Sequence, residues 1–195
     1  MKKSTVSSLA IKKIFFWWQH SWWLVILALL TIFCASYGLF YHQQMFYSHD
    51  YLHAARIAEM ARGLLEGQFP VIWSGNFAFG YGMPLFEFYA PLPYFVGALL
   101  SFLGFNLIIC TKLLFFMSNL GTFTGVYYWA REFYSRPLSL LAAAFATLAS
   151  YRAVDIFARG ALSEIWAIMA LAWLFAGVSK IIEVEIGRAS CRERV

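Results

Sequence analysis

The chain reads as an all-α protein, a polytopic integral membrane helical bundle, on three grounds. Its 195 residues are 62% hydrophobic and only 13% charged, against roughly 45–50% and 25% in a soluble domain. So little charge cannot clothe a water-facing surface. That excludes an ordinary soluble enzyme, a disordered chain and a disulfide-rich secreted module. Long uncharged runs recur along the chain, as membrane-crossing helices require. The basic residues sit at the ends of those runs, so the net charge of +5 reads as a signal of membrane orientation and not of a nucleic-acid partner.

The elements follow in order. Lys2, Lys3, Lys12 and Lys13 form a basic leader, and Trp17, Trp18, Trp22 and Trp23 an interfacial aromatic belt. Residues 22–41 carry no charge and, at about 1.5 Å per residue, span one hydrocarbon core as the first helix. Residues 51–66 predict a surface helix. Ile57, Ala61, Leu64 and Leu65 share one face; Arg56, Glu59, Arg62 and Glu66 share the other, at spacings that pair opposite charges. Gly67 ends it. A turn-rich connection follows, and Pro84–Tyr94 reads as a rigid, non-helical approach because proline fixes φ. Residues 92–105 predict a second surface helix, and spans are expected at 106–130, 134–151 and 165–182.

Charge decides the status of residues 91–105, which are short for a span. If they crossed the bilayer, Arg131 and Arg136 would fall outside, against the positive-inside tendency. As an interfacial helix they leave Arg131, Arg136, Lys180 and the leader lysines on the cytoplasmic side. The same choice puts Asp50, Glu87, Arg152, Asp155, Arg159 and Glu164 together on the outer face. The expected arrangement is multi-pass in a membrane, with a cytoplasmic amino terminus. Residues 185–195 change composition abruptly and resemble a translated sequencing adapter, so they read as a non-native tail on a chain that naturally continues past Val184. Cys34 and Cys110 lie in apolar runs and Cys191 in that tail, without metal-ligand or disulfide spacing.

Two clusters carry candidate chemistry. Asp50 stands just past the first span, flanked by His49 and His53; a carboxylate at the membrane boundary serves as a general base or a metal ligand. Aspartate is equally a favoured helix N-cap, and both roles are compatible. His49-Asp50-Tyr51-Leu52-His53 lacks a further ligand for zinc. The second cluster runs from Tyr151 to Glu164. Arg152, Asp155 and Arg159 share a helical face, Gly160 breaks the helix, and Ser163 caps the last span with Glu164 at its positive end. Arginines at this depth can hold a phosphate bidentately, or pair with Asp155 and Glu164. Glu87, the one charge in the Pro84–Tyr94 run, is placed to assist Asp50. Tyr89 and its aromatic neighbours offer a stacking face for a sugar or an interfacial belt.

The order His49-Asp50…Arg56-Ile57, Gly67-Gln68-Phe69-Pro70…Trp73, Gly80-Tyr81-Gly82…Pro84-Leu85-Phe86…Phe88-Tyr89-Ala90-Pro91-Leu92-Pro93-Tyr94 and Tyr151-Arg152…Asp155…Arg159-Gly160-Ala161…Glu164 resembles a family of bacterial multi-spanning membrane proteins. The family is known by the label "6-pyruvoyl-tetrahydropterin synthase-related". The match covers roughly Ser48 to Ile182, departing at Ser150, where the family often has proline. The chain lacks the zinc-histidine set of the soluble pterin enzyme. The wider resemblance is to GT-C fold glycosyltransferases. It implies an acidic catalytic residue in the first outer loop (here Asp50), two juxtamembrane helices, and a polyprenyl-phosphate-linked sugar donor. With such a donor, Arg152 and Arg159 are expected to hold its phosphate; a cofactor is left open, with a divalent cation as the candidate. The competing expectations are a lipid or polysaccharide transporter or flippase, whose spans should carry ionisable groups near the midplane, and a non-catalytic envelope-biogenesis protein.

Overall fold

A computed structural model describes the backbone of residues 4–41 and 44–192 and the side chains of residues 22–41 and 44–183. The leader lysines, Trp17, Trp18 and the proposed non-native tail lie outside the described side chains. Among the described residues the chain is all-helical, with a single antiparallel bridge, Ser74 to Met83, standing in for any sheet. The helices are α1 (Ser4–Phe40), α2 (His53–Leu65), α3 (Leu85–Phe88), α4 (Pro91–Phe102), α5 (Leu107–Ala130), α6 (Arg136–Thr147), α7 (Ser150–Val154) and α8 (Leu162–Arg192). Four stretches are long and apolar enough to cross a membrane: Trp22–Phe40, Leu107–Ala130, Arg136–Arg159 and Leu162–Glu183.

α5 is the central post, packed against α1, α2, α4, α6 and α8. It carries buried Thr111, Ser118 and Asn119, which in an apolar setting must find partners. The two hydroxyls return to the carbonyls of Leu107 and Phe115, each at 2.9 Å, and Asn119 reaches across to the Ala35 carbonyl of α1 at 3.1 Å. α8 lies against α5 through tryptophan: the indole N–H of Trp166 donates to the Leu114 carbonyl and that of Trp173 to the Gly121 carbonyl. The short apolar α4 does not cross the bundle. It packs on α2, α5 and α8.

Four sequence expectations need correction. The third span does not end at residue 151. The helix breaks at Leu148–Ala149 and resumes as α7, then a π turn at Asp155–Arg159. The charged residues there find partners on the protein: Arg152 donates to Asn119, and Asp155 pairs with the half-exposed Arg159. Residues 84–94 are not wholly non-helical: Leu85–Phe88 makes one helical turn, burying Leu85 and Phe86. Ser163 does not cap α8, which already begins at Leu162. Finally, the charged face of α2 pairs along the helix only in part: Arg62 meets Glu59 and Glu66 at the expected spacings. Arg56 and Glu59 are buried, and Arg56 reaches back to Asp50 instead of pairing along the helix.

Glu59 shows what covers that face. Its carboxylate accepts from Ser74 Oγ at 2.7 Å, the Asn76 amide at 3.1 Å, Asn76 Nδ2 at 2.6 Å and Arg62 at 3.0 Å. The connector between α2 and α3 is thereby tied to α2. Burial alone would raise the Glu59 pKa, but these donors outweigh it and hold the group down from 4.5 to about 2. A carboxyl depressed on folding stabilises the fold fully above its ordinary value and loses that contribution as pH falls through the folded one. Thermal unfolding in detergent is therefore expected to weaken by on the order of 2–3 kcal/mol between neutral pH and pH about 2 on account of this group. Glu59→Gln is expected to remove that pH-dependent component and to cost about 1–3 kcal/mol at pH 7.

Candidate functional site

The site begins with a backbone geometry. The π turn adds one residue to the helical repeat, and Gly160 closes it in the left-handed region at φ 69°. That conformation is open to glycine without a Cβ penalty. The Ala161 amide then returns to the Asp155 carbonyl at 2.8 Å, ending the helix. The exposed edge of this turn receives the first loop. The His49 amide donates to the Ala158 carbonyl and the Asp50 amide to the Arg159 carbonyl, both at 2.9 Å. Residues 49–50 and 158–159 thus lie at one end of the bundle. Glu132 and Lys180, paired at 3.0 Å, lie at the other, as the alternating directions of α5, α6 and α8 require.

A polar network then fixes α2 and α4 against this turn. His53 is 1% exposed. Its Nε2 lies 2.7 Å from the Gly160 carbonyl and its Nδ1 3.2 Å from the Tyr94 hydroxyl. A carbonyl only accepts, so Nε2 carries the hydrogen, and in the neutral ring Nδ1 accepts from Tyr94. Burial pushes the His53 pKa below its ordinary value, partly opposed by Asp50 and the Gly160 carbonyl, which favours that neutral form. The Tyr94 oxygen in turn accepts from Arg56 Nη1 at 3.2 Å. The same nitrogen donates to Asp50 Oδ2 at 2.7 Å, and the guanidinium lies 4.0 Å from the centre of the Tyr89 ring. The chain of contacts therefore runs from the Asp50 carboxylate through Arg56, Tyr94 and His53 to the Gly160 carbonyl.

Asp50 is the half-buried end of that chain. Burial raises its pKa, but the hydrogen bond from Arg56 and the nearby positive charge win, and the carboxyl sits below its usual value. It also accepts the Leu52 amide at 3.4 Å, just ahead of α2. It faces a hollow of about 310 Å³ lined by Phe88, Tyr89 and Tyr94 on one side and by Ala161, Ser163 and Glu164 on the other. Glu164 is held at the lip by Arg159 at 2.9 Å and by the Tyr151 hydroxyl. Arg159 also pairs with Asp155, and its side chain remains 51% exposed.

The structure thus brings Asp50, Tyr89 and Glu164 to one hollow, with Arg159 beside Glu164. The other residues singled out in the sequence go elsewhere. His53 is turned inward and positions the loop instead of meeting a substrate. Arg152 is 3% exposed and points into the bundle, donating to Asn119 Oδ1 at 2.9 Å. The π turn rotates Arg159 outward, so the shared face expected for Arg152, Asp155 and Arg159 is broken. Asp155 is fully buried. Glu87 and His49 are exposed, and neither lines the hollow. Among the described residues no group of three His, Cys, Asp or Glu side chains could hold a metal ion.

Arg56 and Tyr94 were missed as site residues. For Arg56 the signal was present: an arginine six residues after Asp50, on a helix whose first turn has no acid. Tyr94 had none, since its partners lie 38 and 41 residues away. No family model, curated protein or solved structure matches the chain.

A Cβ at position 160 would lie 2.7 Å from the Asp50 carbonyl oxygen and 2.7 Å from Ser48 Oγ, in a backbone region that L side chains rarely adopt. Gly160→Ala is therefore expected to push residues 48–50 off the turn and to cost about 1–3 kcal/mol. Thermal unfolding together with hydrogen exchange at the Asp50 amide measures both effects. A variant of unchanged stability with that amide still protected would contradict the arrangement.

Proposed function

We propose that this protein works in a membrane as a GT-C-like glycosyltransferase, moving a sugar from a polyprenyl-phosphate-linked donor at the rim that carries Asp50. The observation that carries the proposal is the Asp50 carboxylate, held ionised by buried Arg56 and facing an open hollow at the end of the bundle. A lipid-linked donor suits that position, because its tail stays among the apolar helices while its head reaches the hollow.

The chemistry follows from the groups present. An acceptor hydroxyl attacks the anomeric carbon, a new carbon–oxygen bond forms, and the bond from that carbon to the phosphate oxygen breaks. Asp50 takes the hydroxyl proton. A carboxylate held below its usual pKa is a weak base, so it orients the hydroxyl and receives the proton late, once the oxygen has become acidic by bonding to carbon. The departing phosphate needs charge stabilisation rather than a proton. Arg159 is the exposed guanidinium at the lip and retains donors beyond its contacts with Asp155 and Glu164. Tyr89 and Phe88 offer the faces for a sugar ring.

A second reading, a lipid-linked saccharide transporter, draws on Arg152 and Lys112. Both are buried within helices long and apolar enough to cross a membrane. Ionisable groups at such depth mark translocation paths by default. It predicts movement of the donor between leaflets without bond breakage.

One assay separates the two. The purified protein in lipid vesicles is given radiolabelled polyprenyl-phosphate sugars, and both transfer to an acceptor and redistribution between leaflets are followed. Transfer is expected, with Asp50→Asn slower by about 10²-fold or more and a pH–rate profile for the parent whose acid limb falls below the usual carboxylate range. Redistribution without transfer, or transfer indifferent to Asp50→Asn, would overturn the glycosyltransferase assignment.

A further inference from the structure

The connector between α2 and α3 carries exposed aromatic surface that the proposed chemistry does not use. No charged residue occurs from Gly67 to Phe86. Ser74 and Met83 exchange backbone hydrogen bonds at 2.9 and 3.0 Å and close residues 75–82 into a hairpin-like loop. Its base is firmly held. Ser74 and Asn76 donate to buried Glu59. Gly82 lies so close to the Trp73 indole that a Cβ there would come within 2.5 Å of the ring nitrogen. At the tip, Ala78 and Phe79 both stand in the left-handed region, at φ 53° and 58°, a costly conformation for residues with a Cβ. The result is display and not burial: Phe79 is fully exposed and Tyr81 is 88% exposed.

We infer that the tip of this connector docks on the lipid surface on the Asp50 side, with Phe79 and Tyr81 set into the boundary between head groups and acyl chains. Docking there holds the rim layer, and with it the hollow, at head-group depth. The inference rests on the membrane setting but is independent of glycosyl transfer. The connector is tethered on both sides to candidate spans, Trp22–Phe40 before it and Leu107–Ala130 after it, so a bilayer surface is within its reach. Leu65, Phe69 and Trp73 are exposed along the same stretch, and exposed apolar surface gathered in one segment marks a contact. Tyrosine and tryptophan, apolar in body and polar at one edge, suit a lipid–water boundary. The absence of charge removes the main cost of entering it. A saccharide would need polar partners for its hydroxyls beside these rings. The nearest candidate, Asn76, has its backbone and side-chain amides on Glu59.

The test is spin labelling of the full chain in dioleoyl phosphatidylcholine vesicles, with its own cysteines replaced by serine. Nitroxides are attached singly through Phe79→Cys, Glu66→Cys and Leu171→Cys. Collisions with oxygen, which concentrates in lipid, are compared with collisions with a water-soluble nickel chelate. Leu171 is exposed within the fourth candidate span and reports the membrane setting itself. Oxygen is expected to dominate at 171 and at 79, with position 79 about 5–10 Å inside the boundary, and nickel at 66. The oxygen-to-nickel ratio at 79 is expected to exceed that at 66 several-fold. Oxygen dominant at 171 with nickel dominant at 79 would overturn the docking alone; nickel dominant at 171 would overturn the membrane setting with it. A label at 79 shielded from both reagents would lie against protein, as in a dimer, and would also overturn the docking. Tyr81→Cys carries the same expectation without altering the left-handed pair, so it decides the matter if Phe79→Cys disturbs the tip.

Discussion

The Gly160 carbonyl accepts a hydrogen bond from His53, and the backbone on either side of it engages the first loop. Much of the architecture at this rim depends on that junction. Gly160 can present its carbonyl there because a π turn and a left-handed residue end the third apolar stretch. His53 can point at it because its ring is buried and neutral, with Tyr94 and Arg56 stacked behind it in a single donor-to-acceptor order. Asp50 is then placed twice: by its amide on the Arg159 carbonyl and by its carboxylate on Arg56. Remove the junction and the carboxylate remains in the sequence but loses its position.

The same junction solves an electrostatic problem. A charge inside an apolar bundle is costly unless paired or hydrogen-bonded. This chain gathers many of its ionisable groups at two rims and gives buried Arg152 and Asp155 a partner, from a neighbouring helix for the first and from the same π turn for the second. Arg152 has Asn119 of α5, which also holds the α1 backbone. Asp155 has Arg159. These contacts let the third stretch continue as helix through residues that resemble a loop. Its discontinuity at Leu148–Ala149 sets the direction in which the turn faces.

Much of this was legible in the sequence and some of it was not, for physical reasons. The four apolar stretches announce themselves, because long windows of high hydropathy with at most two charges have few other uses. Gly67 and Gly160 were readable as helix ends. The gathering of Asp50, Arg159 and Glu164 at one end followed from counting charges per rim. Burial of individual polar residues was not legible. His53 and Arg152 look like exposed rim residues until a partner far along the chain is known; for His53 that partner is 107 residues away. Spacing placed Arg152 and Arg159 on one face, and a one-residue π insertion separated them. The charges of α2 read as pairing with one another, yet Ser74 and Asn76 from the connector also close over Glu59.

The central claim is that the first loop and the end of the third apolar stretch meet at one rim, with the α5–α6 turn at the other. Single cysteines at His49, Ala158 and Tyr134, introduced into a chain whose own cysteines are replaced by serine, test it directly. They are labelled in sealed vesicles with a membrane-impermeant maleimide. Positions 49 and 158 are expected to react from the same side and position 134 from the opposite side. Labelling of 49 and 158 from different compartments would contradict the account, because no hollow could then form between Asp50 and Glu164.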